Sequence, residues 1–456
     1  MEKNENVEMI TGDPKKAINK LSLPIIASML LIFANNIIDS IWIAGLGADP
    51  LAAVGYVTPL FMVLIGVGNG IGAGGNSLIS RFIGAEDKPS ANNAAIHNLI
   101  LGIIISVVIS VIFLIFLEPL LNIMGASSVM KYAMDYGIIL FIFAFTMLLP
   151  PILGGAFRAE GDIGKATIPM AVSAIINMCI DPVLIYMLNM GISGAALATV
   201  LANLVSVILM FYWIFIKKDG YLVYSREHFK SKLSMYKDIL VVGIPASLEQ
   251  LILSVLTIII NLMLTLTGGA VAVAVYTAGW RVINLGMLPA MGIGTSAISV
   301  AGVAFGARKY ENIRTTARYC VKIGFASSII ICILIYVFSN QIALIFSYSD
   351  TSASLAPLIA TFLQIMNLFI LVAPFGITAS SIFQGVGKGT TSFILTTIRE
   401  FVLVLSFAYI FGFIFNMGEI GIYYGMLLGA GIGSVICYSV IELYTNKLIK
   451  GSKNAV

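Results

Sequence analysis

The stretch LSLPIIASMLLIFANNIIDSIWIAG, from Leu21 to Gly45, decides the fold of this chain. It is long enough to cross the hydrocarbon core of a bilayer as one helix, and its single ionisable residue is Asp39. An ionised carboxylate in hydrocarbon costs a few kcal/mol at least. We therefore predict a membrane-spanning helix in which Asp39 faces an aqueous cavity or a cation.

Composition extends this interpretation to the whole chain. Of its 456 residues, 59% are hydrophobic and only 11% are charged, and the mean hydropathy is +1.00. Soluble domains carry about 25% charged residues. Because only helices and closed barrels satisfy their backbone groups in lipid, we predict an all-α polytopic membrane protein. The net charge of +4 forms no basic stripe, so we expect no nucleic-acid partner.

Polar interruptions divide the chain into twelve apolar segments. Lysine and arginine fall almost entirely in one alternating set of the loops, which by the positive-inside rule predicts that both termini are cytoplasmic. The predicted spans cover residues 21–45, 53–80, 94–117, 132–157, 167–188, 194–216, 239–266, 271–303, 316–338, 354–384, 392–415 and 421–445.

The two halves of the chain resemble each other. Leu23-Pro24 corresponds to Ile244-Pro245 and Gly84-Ala85 to Gly306-Ala307, and the matched motifs lie about 221 to 226 residues apart. We predict two six-helix lobes, 1–216 and 239–456, joined by a cytoplasmic linker at 217–238 and related by a pseudo-two-fold axis along the membrane normal. This arrangement favours a transporter over a channel or an enzyme.

The ionisable residues within the spans indicate where chemistry takes place. Asn177 and Asp181 share one helix face at i, i+4 spacing, and Pro182 frees a backbone carbonyl one turn back. Thr199 adds a hydroxyl at a similar depth in the next span. Oxygen donors of this kind suit a hard cation such as Na⁺, and two neighbouring carboxyl groups equally suit a proton. A buried polar network that only holds helices together is the alternative. The four ionisable residues identified within spans are Asp39, Asp181, Glu249 and Arg281.

The C-terminal half carries a different set of polar residues. Glu249-Gln250 is interpreted as a second acidic site or a substrate contact, and alternatively as a solvated or lysine-paired group near the inner face. Since Glu249 lies near the start of its span, we expect it to be easier to hydrate than Asp39 and to modulate substrate entry or gating. Arg281 follows Trp280 and is expected to pair with a carboxylate or with helix-end carbonyls.

Several motif matches are rejected. Gly70-Ile-Gly72-Ala-Gly74-Gly75 fits a nucleotide-binding glycine pattern, but it lies inside an apolar span with no preceding strand. These glycines, like Gly425, Gly429 and Gly433, are predicted to permit close helix packing. The chain has no Walker lysine motif, two histidines and no nucleophile–base pattern, so we predict that it is not an enzyme.

The motifs together resemble one transporter family, and the resemblance covers nearly the whole chain. Asp39 before Trp42 and Gly45, and Asn177-x-x-x-Asp181-Pro182, are similar to motifs of the MATE multidrug and toxic compound extrusion transporters, closest to the archaeal branch. Other stretches that carry it are Gly12-Asp13-Pro14-Lys15-Lys16-Ala17, Gly45-Leu46-Gly47, Ile83-Gly84-Ala85, Trp280-Arg281 and Pro374-Phe375-Gly376.

The resemblance implies a function and a site. The family couples drug efflux to H⁺ or Na⁺ entry, and its N-lobe cation site maps onto Asp39, Asn177, Asp181 and Thr199. This chain departs from the archaeal pattern at Asn35, where that branch has tyrosine. It also has Pro150, Pro151 and Gly154 where the branch has asparagines late in the fourth span. Because these positions line the N-lobe cavity in the family, Asn35 is a candidate substrate or gating residue.

The sequence therefore predicts a secondary active multidrug antiporter. It would export organic cations or other amphiphilic drugs in exchange for H⁺ or Na⁺, with no further cofactor. We expect a monomer in the plasma membrane, in contact with lipids, with Glu249, Gln250, Trp280 and Arg281 contacting substrate or gating. The alternatives are a lipid-linked oligosaccharide flippase of the same superfamily, which should show more cavity cations, and a channel or receptor.

Overall fold

A computed structural model describes residues 5–347 and 353–453, and within these ranges the chain is helical with no β-strand. Ten helices are long and apolar enough to cross a membrane, and one bent pair adds an eleventh span. The helices, in chain order, are Pro14–Ala44, Ala48–Gly84, Lys88–Ile123, the pair Ala126–Ile142 and Phe145–Ala159, Ile163–Met187, Gly191–Lys217, Leu233–Gly306, Tyr310–Val337, Ala356–Met366, Leu368–Gly385, Gly389–Ile414 and Gly418–Ser452. Shorter helices are Glu5–Thr11, Arg226–His228, Ser339–Ile345 and Ala353–Leu355.

Two features of these helices give twelve spans in the described ranges. Leu233–Gly306 has 74 residues, which at 1.5 Å per residue is about 110 Å, far more than a bilayer core. Gly269 interrupts it with φ 64° and ψ −157°, a conformation open to glycine, so it forms spans 7 and 8. Ala356–Met366 and Leu368–Gly385 are separated only by Asn367 and together form span 10. The twelve spans, numbered 1 to 12 in chain order, agree with the predicted number.

Backbone conformation repeats between the two halves. Residues with positive φ occur at matching places, with separations from 222 residues (47 to 269) to 227 residues (191 to 418). A left-handed residue at a helix end is a local device for turning the chain, so its repetition supports the predicted internal repeat. The matched pairs are Gly47 with Gly269, Glu86 with Arg308, Gly161 with Gly387, Asn189 with Asn416 and Gly191 with Gly418.

The chain forms two compact units whose limits differ from the predicted lobes. The first unit contains Ala27–Leu248 and the short N-terminal helix, and the second contains Asp13–Ile26 and the chain from Glu249 onward. The start of span 1 therefore belongs to the second unit, and the start of span 7 belongs to the first. The predicted boundary was the polar loop between spans 6 and 7. The boundaries given by the contacts between helices lie instead within spans 1 and 7.

The polar segment between spans 6 and 7 packs on the first unit. Asn93 donates to the Lys230 carbonyl at 2.9 Å and accepts from the Lys230 amide at 3.1 Å. His97, fully buried in span 3, accepts from the Lys232 amide through Nε2 at 3.2 Å, and the Val223 amide donates to Asn92 at 3.0 Å. These hydrogen bonds pair backbone groups of the segment with side chains of span 3. They therefore hold the segment against the first unit.

The glycine runs serve close helix packing, as the sequence predicted. A Cβ at Gly72 would meet the Pro151 carbonyl oxygen, and one at Gly74 would meet the Ile239 carbonyl oxygen. In span 12, a Cβ at Gly429 would lie 2.7 Å from the Leu403 carbonyl oxygen and 2.7 Å from the Val404 Cα atom. Spans 2 and 12 therefore approach their neighbours at backbone contact, which only glycine permits.

Substituting Gly429 by alanine should destabilise the second unit. Because the new methyl group meets backbone rather than a movable side chain, we expect a loss of about 1–3 kcal/mol, measured by thermal unfolding in detergent. Gly431→Ala is the matched control, since no atom lies within 4 Å of a Cβ there, two residues along the same helix. Equal stability of the two variants would contradict the packing role of Gly429.

Candidate cation-coupling site

Two carboxyl groups meet in the first unit. The Asp39 side chain on span 1 and the Asp181 side chain on span 5 lie within hydrogen-bonding distance of each other. Asp181 is fully buried, and Asp39 is half-buried. Their positions are 142 residues apart in the chain, so the pair is a product of helix packing.

A chain of amides orients this pair. Asn177 Nδ2 donates to Asp181 Oδ1 at 3.0 Å, and Asn35 Nδ2 donates to Asn177 Oδ1 at 2.9 Å. Asn177 and Asp181 are one helical turn apart, which places their side chains on the same face of span 5. Asn35, predicted as a substrate or gating residue, is thus placed beside the predicted coupling residues.

The end of span 5 departs from α-helical geometry directly after Asp181. Pro182 closes the α-helical part, and Val183–Met187 continues as a π-helix. Proline has no N–H to donate, and π-helical turns occur frequently at functional sites. Within this segment, the Tyr186 hydroxyl donates to the Trp42 carbonyl at 2.5 Å, which ties the C-terminal ends of spans 5 and 1 together.

Several oxygens of the site lack donors. Asp39 Oδ1, Asp181 Oδ2 and Asn35 Oδ1 are buried and accept no hydrogen bond from the residues that the structure describes. Two carboxylates this close repel each other unless a proton or a cation lies between them. The arrangement can therefore bind and release one positive charge.

Tyr136 belongs to the same site, and the sequence analysis missed it. It lies in the first half of the bent span 4, is buried, and interacts electrostatically with both Asp39 and Asp181. A tyrosine in an apolar span is usually a packing residue. The only indication in the sequence that Tyr136 belongs to the site was its hydroxyl group at this depth in the span.

Thr199 is not joined to the carboxyl pair by a hydrogen bond in the described part of the chain. Its hydroxyl donates to the Ala195 carbonyl at 3.1 Å, and its own carbonyl accepts from Asn203 at 2.9 Å. The side chain is half-buried on span 6. Of the four predicted coupling residues, the structure therefore links Asp39, Asn177 and Asp181.

The prediction that Glu249 is hydrated is wrong. Glu249 is only 9% exposed, because spans 10 and 11 cover it with polar side chains. Ser392 Oγ lies 2.6 Å from Glu249 Oε1, and Ser380 Oγ lies 3.0 Å from Glu249 Oε2. Its neighbour Gln250 is exposed. The position of Glu249 near the start of span 7 therefore does not give it access to water.

The count of four ionisable residues within spans was also incomplete. Arg399 and Glu400 lie within span 11 in a π-helical segment, and their side chains form a buried ion pair at 2.8 Å. Arg399 fits because Gly376 and Gly433 leave room for it, since a Cβ at either position would overlap its atoms. The signal in the sequence was two adjacent residues of opposite charge. The apolar residues that follow them made the segment resemble an ordinary span.

Trp280 and Arg281 have separate surroundings. The Trp280 ring stacks on Tyr276 at 5.4 Å and meets Phe369 edge-on at 5.3 Å, within the apolar core of the second unit. Arg281 is exposed, and no ion pair or hydrogen bond joins its side chain to any described residue, so the predicted pairing is wrong. An exposed arginine in mid-span requires water rather than lipid around it.

Comparisons with known proteins identify the family. The MatE family model matches residues 24–183 and 245–410. The multidrug export protein MepA of Staphylococcus haemolyticus is 26% identical over 435 residues, covering 95% of this chain and 94% of that protein. MepA of Staphylococcus saprophyticus is 25% identical over 438 residues, covering 95% and 94%.

Solved structures agree over the full length. A multidrug resistance MATE family transporter of the MOP superfamily, in its outward-facing conformation, superposes with a TM-score of 0.96 at 36% identity, covering 99% of this chain and 100% of that one. A MOP superfamily transporter from Pyrococcus furiosus gives a TM-score of 0.95 at 35% identity, covering 98% and 99%. The chain belongs to the MATE family of multi-span membrane transporters, which confirms the fold class predicted from the sequence and the prediction that it is not an enzyme.

Proposed function

We propose that this protein is a multidrug efflux antiporter of the plasma membrane. It exports amphiphilic or cationic small molecules and takes up protons in exchange at the Asp39–Asp181 pair. The relatives named as multidrug export proteins support the substrate class. The observation that carries the coupling proposal is the contact between the two carboxyl groups, which needs a proton to be stable.

The exchange follows from the charge of the pair. With one proton between the carboxyl groups, the site carries one negative charge fewer and the two aspartates hold spans 1 and 5 together. Loss of the proton leaves two facing carboxylates, which favours their separation or the approach of a cationic substrate. By linkage, substrate must weaken proton binding as much as the proton weakens substrate binding.

The amides and the threonine decide between coupling ions. Asn177 has its donor on Asp181 and its acceptor on Asn35, so it positions the acid rather than presenting a free oxygen. The hydroxyl of Thr199 is directed to the Ala195 carbonyl. Among the described residues of the site, the oxygens that remain without donors are Asp39 Oδ1, Asp181 Oδ2 and Asn35 Oδ1, and two of them belong to the facing carboxyl groups. We therefore propose that a shared proton, rather than Na⁺, relieves the repulsion between these groups.

The remaining features of the proposal rest on the sequence. The distribution of lysine and arginine supports cytoplasmic termini, and a monomer surrounded by lipid is the proposed state. Arg399 gives no support to the oligosaccharide flippase alternative. Its charge is buried and paired with Glu400 and so is not a cavity cation.

The coupling ion can be tested in proteoliposomes loaded with a fluorescent organic cation. A pH gradient in sodium-free buffer should drive full efflux, and Thr199→Ala should retain at least half of the wild-type rate. The control is a Na⁺ gradient at equal pH, which should give no efflux above leak. Efflux that requires Na⁺, and that falls more than about tenfold in Thr199→Ala, would instead establish Na⁺ coupling with Thr199 as a ligand.

A further inference from the structure

A single hydroxyl group joins the C-terminal ends of spans 1 and 5. It belongs to Tyr186 and donates to the Trp42 carbonyl at 2.5 Å. Trp42 lies three residues after Asp39 on span 1, and Tyr186 lies five residues after Asp181 on span 5. The hydrogen bond is therefore about one helical turn from the carboxyl pair and connects the same two spans.

The π-helical segment Val183–Met187 sets the direction of the Tyr186 side chain. At its end the Leu188 amide donates to the Val183 carbonyl at 2.9 Å, which is an i to i+5 hydrogen bond. A turn of this kind contains one residue more than an α-helical turn, so position i+5 returns close to the face of position i. Tyr186 therefore faces span 1, as Asp181 does. In a regular α-helix it would be rotated away from that face by about 140°.

The Trp42 carbonyl lacks its usual α-helical donor, because span 1 ends here. The Leu46 amide, which would serve it in a continuing α-helix, bonds to the Ile43 carbonyl at 3.0 Å instead. The Gly45 amide donates to the Trp42 carbonyl at 3.2 Å but is shared with a second carbonyl. Gly45 also makes room for the tyrosine, since a Cβ there would overlap the Tyr186 hydroxyl. The end of span 1 is thus shaped to accept this hydroxyl group.

The second half of the chain repeats the π-helical segment without the hydroxyl. The turn residues that follow span 5 recur 227 residues later, after span 11, where Ile410–Ile414 is again π-helical. At this offset the counterpart of Tyr186 is Phe413. A π-helical segment at this position therefore does not require a tyrosine, and the Tyr186 hydroxyl has a reason specific to the first unit.

The end of span 7 also differs from the end of span 1. At the 222-residue offset between their turn glycines, the counterpart of Gly45 is Thr267 and that of Trp42 is Leu264. The Thr267 hydroxyl lies 3.3 Å from the Leu264 carbonyl within the same helix. In the second unit this carbonyl is capped locally, whereas in the first unit it is bonded across to the span that carries the second aspartate.

We propose that Tyr186 is a positioning residue for proton exchange at the Asp39–Asp181 pair, an inference that rests on the proposed antiport. Its hydrogen bond keeps the ends of spans 1 and 5 together after the pair has lost its proton, so the two carboxylates stay opposed. Their repulsion then favours rebinding of a proton. Without the hydrogen bond the spans separate more readily, and proton affinity falls. Tyr136, which faces the pair from span 4, is uncharged near pH 7 and leaves this balance unchanged.

Tyr186→Phe tests the proposal, because it removes only the hydroxyl and keeps the ring, whose centroid lies 6.1 Å from that of Trp42. Efflux of a fluorescent organic cation is measured in proteoliposomes at varied pH on the proton-uptake side. The proton concentration for half-maximal efflux should rise about two- to tenfold at an unchanged maximal rate. A purely structural hydroxyl would lower the maximal rate without moving this concentration. Tyr212→Phe, at a similarly exposed position at the end of span 6, is the matched control and should behave as wild type.

A second variant and a second measurement test the hydrogen bond itself. Gly45→Ala places a methyl group where the Tyr186 hydroxyl lies, so it should shift the proton dependence in the same direction. Introduced into Tyr186→Phe, it should add little, because the hydroxyl that it displaces is already absent. Hydrogen exchange of the full-length protein should be faster at residues 43–47 in both single variants.

The outcomes separate this role from the proposed function. Unchanged exchange at residues 43–47 in Tyr186→Phe would overturn the proposal, as would additive shifts in the double variant. A proton-dependent wild type with the same half-maximal proton concentration in Tyr186→Phe would refute the positioning role alone. Wild-type efflux that does not depend on protons would refute the proposed antiport and this role with it.

Discussion

Asp181→Asn is expected to abolish active efflux while the protein remains folded. The amide has the shape of the carboxyl group and can still accept the hydrogen bond from Asn177 Nδ2, so the local structure should persist. It can neither bind nor release a proton near neutral pH, so the exchange with substrate is lost. Drug resistance of cells expressing the variant should fall to the level of cells without the transporter, and Asp39→Asn should behave in the same way.

The controls separate coupling from folding. Asp49→Asn changes an exposed aspartate in the first turn of span 2 and should leave resistance at the wild-type level. Membrane levels and the thermal unfolding temperature should be equal for all variants. Near-normal resistance with Asp181→Asn would refute the assignment of the pair as the coupling site.

Arg399→Ala is expected to be the most destabilising single substitution. Arg399 and Glu400 are both buried, and removing one partner leaves the other charge uncompensated in a low-dielectric environment. Losses of about 3–5 kcal/mol are typical of such a change. We expect little folded protein in detergent extracts, measured by size-exclusion chromatography and thermal unfolding.

An exposed ion pair in the same unit provides the matched control. Arg318 and Glu442 also pair at 2.8 Å, but the Arg318 side chain is 56% exposed. Arg318→Ala should therefore cost at most about 1 kcal/mol. Glu400→Gln introduced into Arg399→Ala should restore part of the stability by removing the uncompensated charge. Equal losses of unfolding free energy for Arg399→Ala and Arg318→Ala would show that burial does not determine how much these ion pairs contribute to stability.

The sequence alone determined the membrane class, the twelve spans and the local geometry within each span. These properties depend on neighbouring residues: the length of an apolar run against bilayer thickness, and the i, i+4 relation of Asn177 to Asp181. The role of the glycine runs was also predictable, because Gly at every second or fourth position of a span has few functions other than close approach.

Tertiary structure alone decided which polar groups meet. A sequence gives the approximate depth of a residue along its helix, but the rotation of that helix about its axis is set by packing against neighbours. For this reason Glu249 was expected in water and is enclosed by Ser380 and Ser392, which lie 131 and 143 positions further along the chain. The buried position of Arg399 was not predicted for the same reason, because glycines on other helices form the space that its side chain occupies. The contact between Asp39 and Asp181 arises only when spans 1 and 5 turn these faces toward each other, because the free energy of burying a carboxyl group depends on the partner that packing provides.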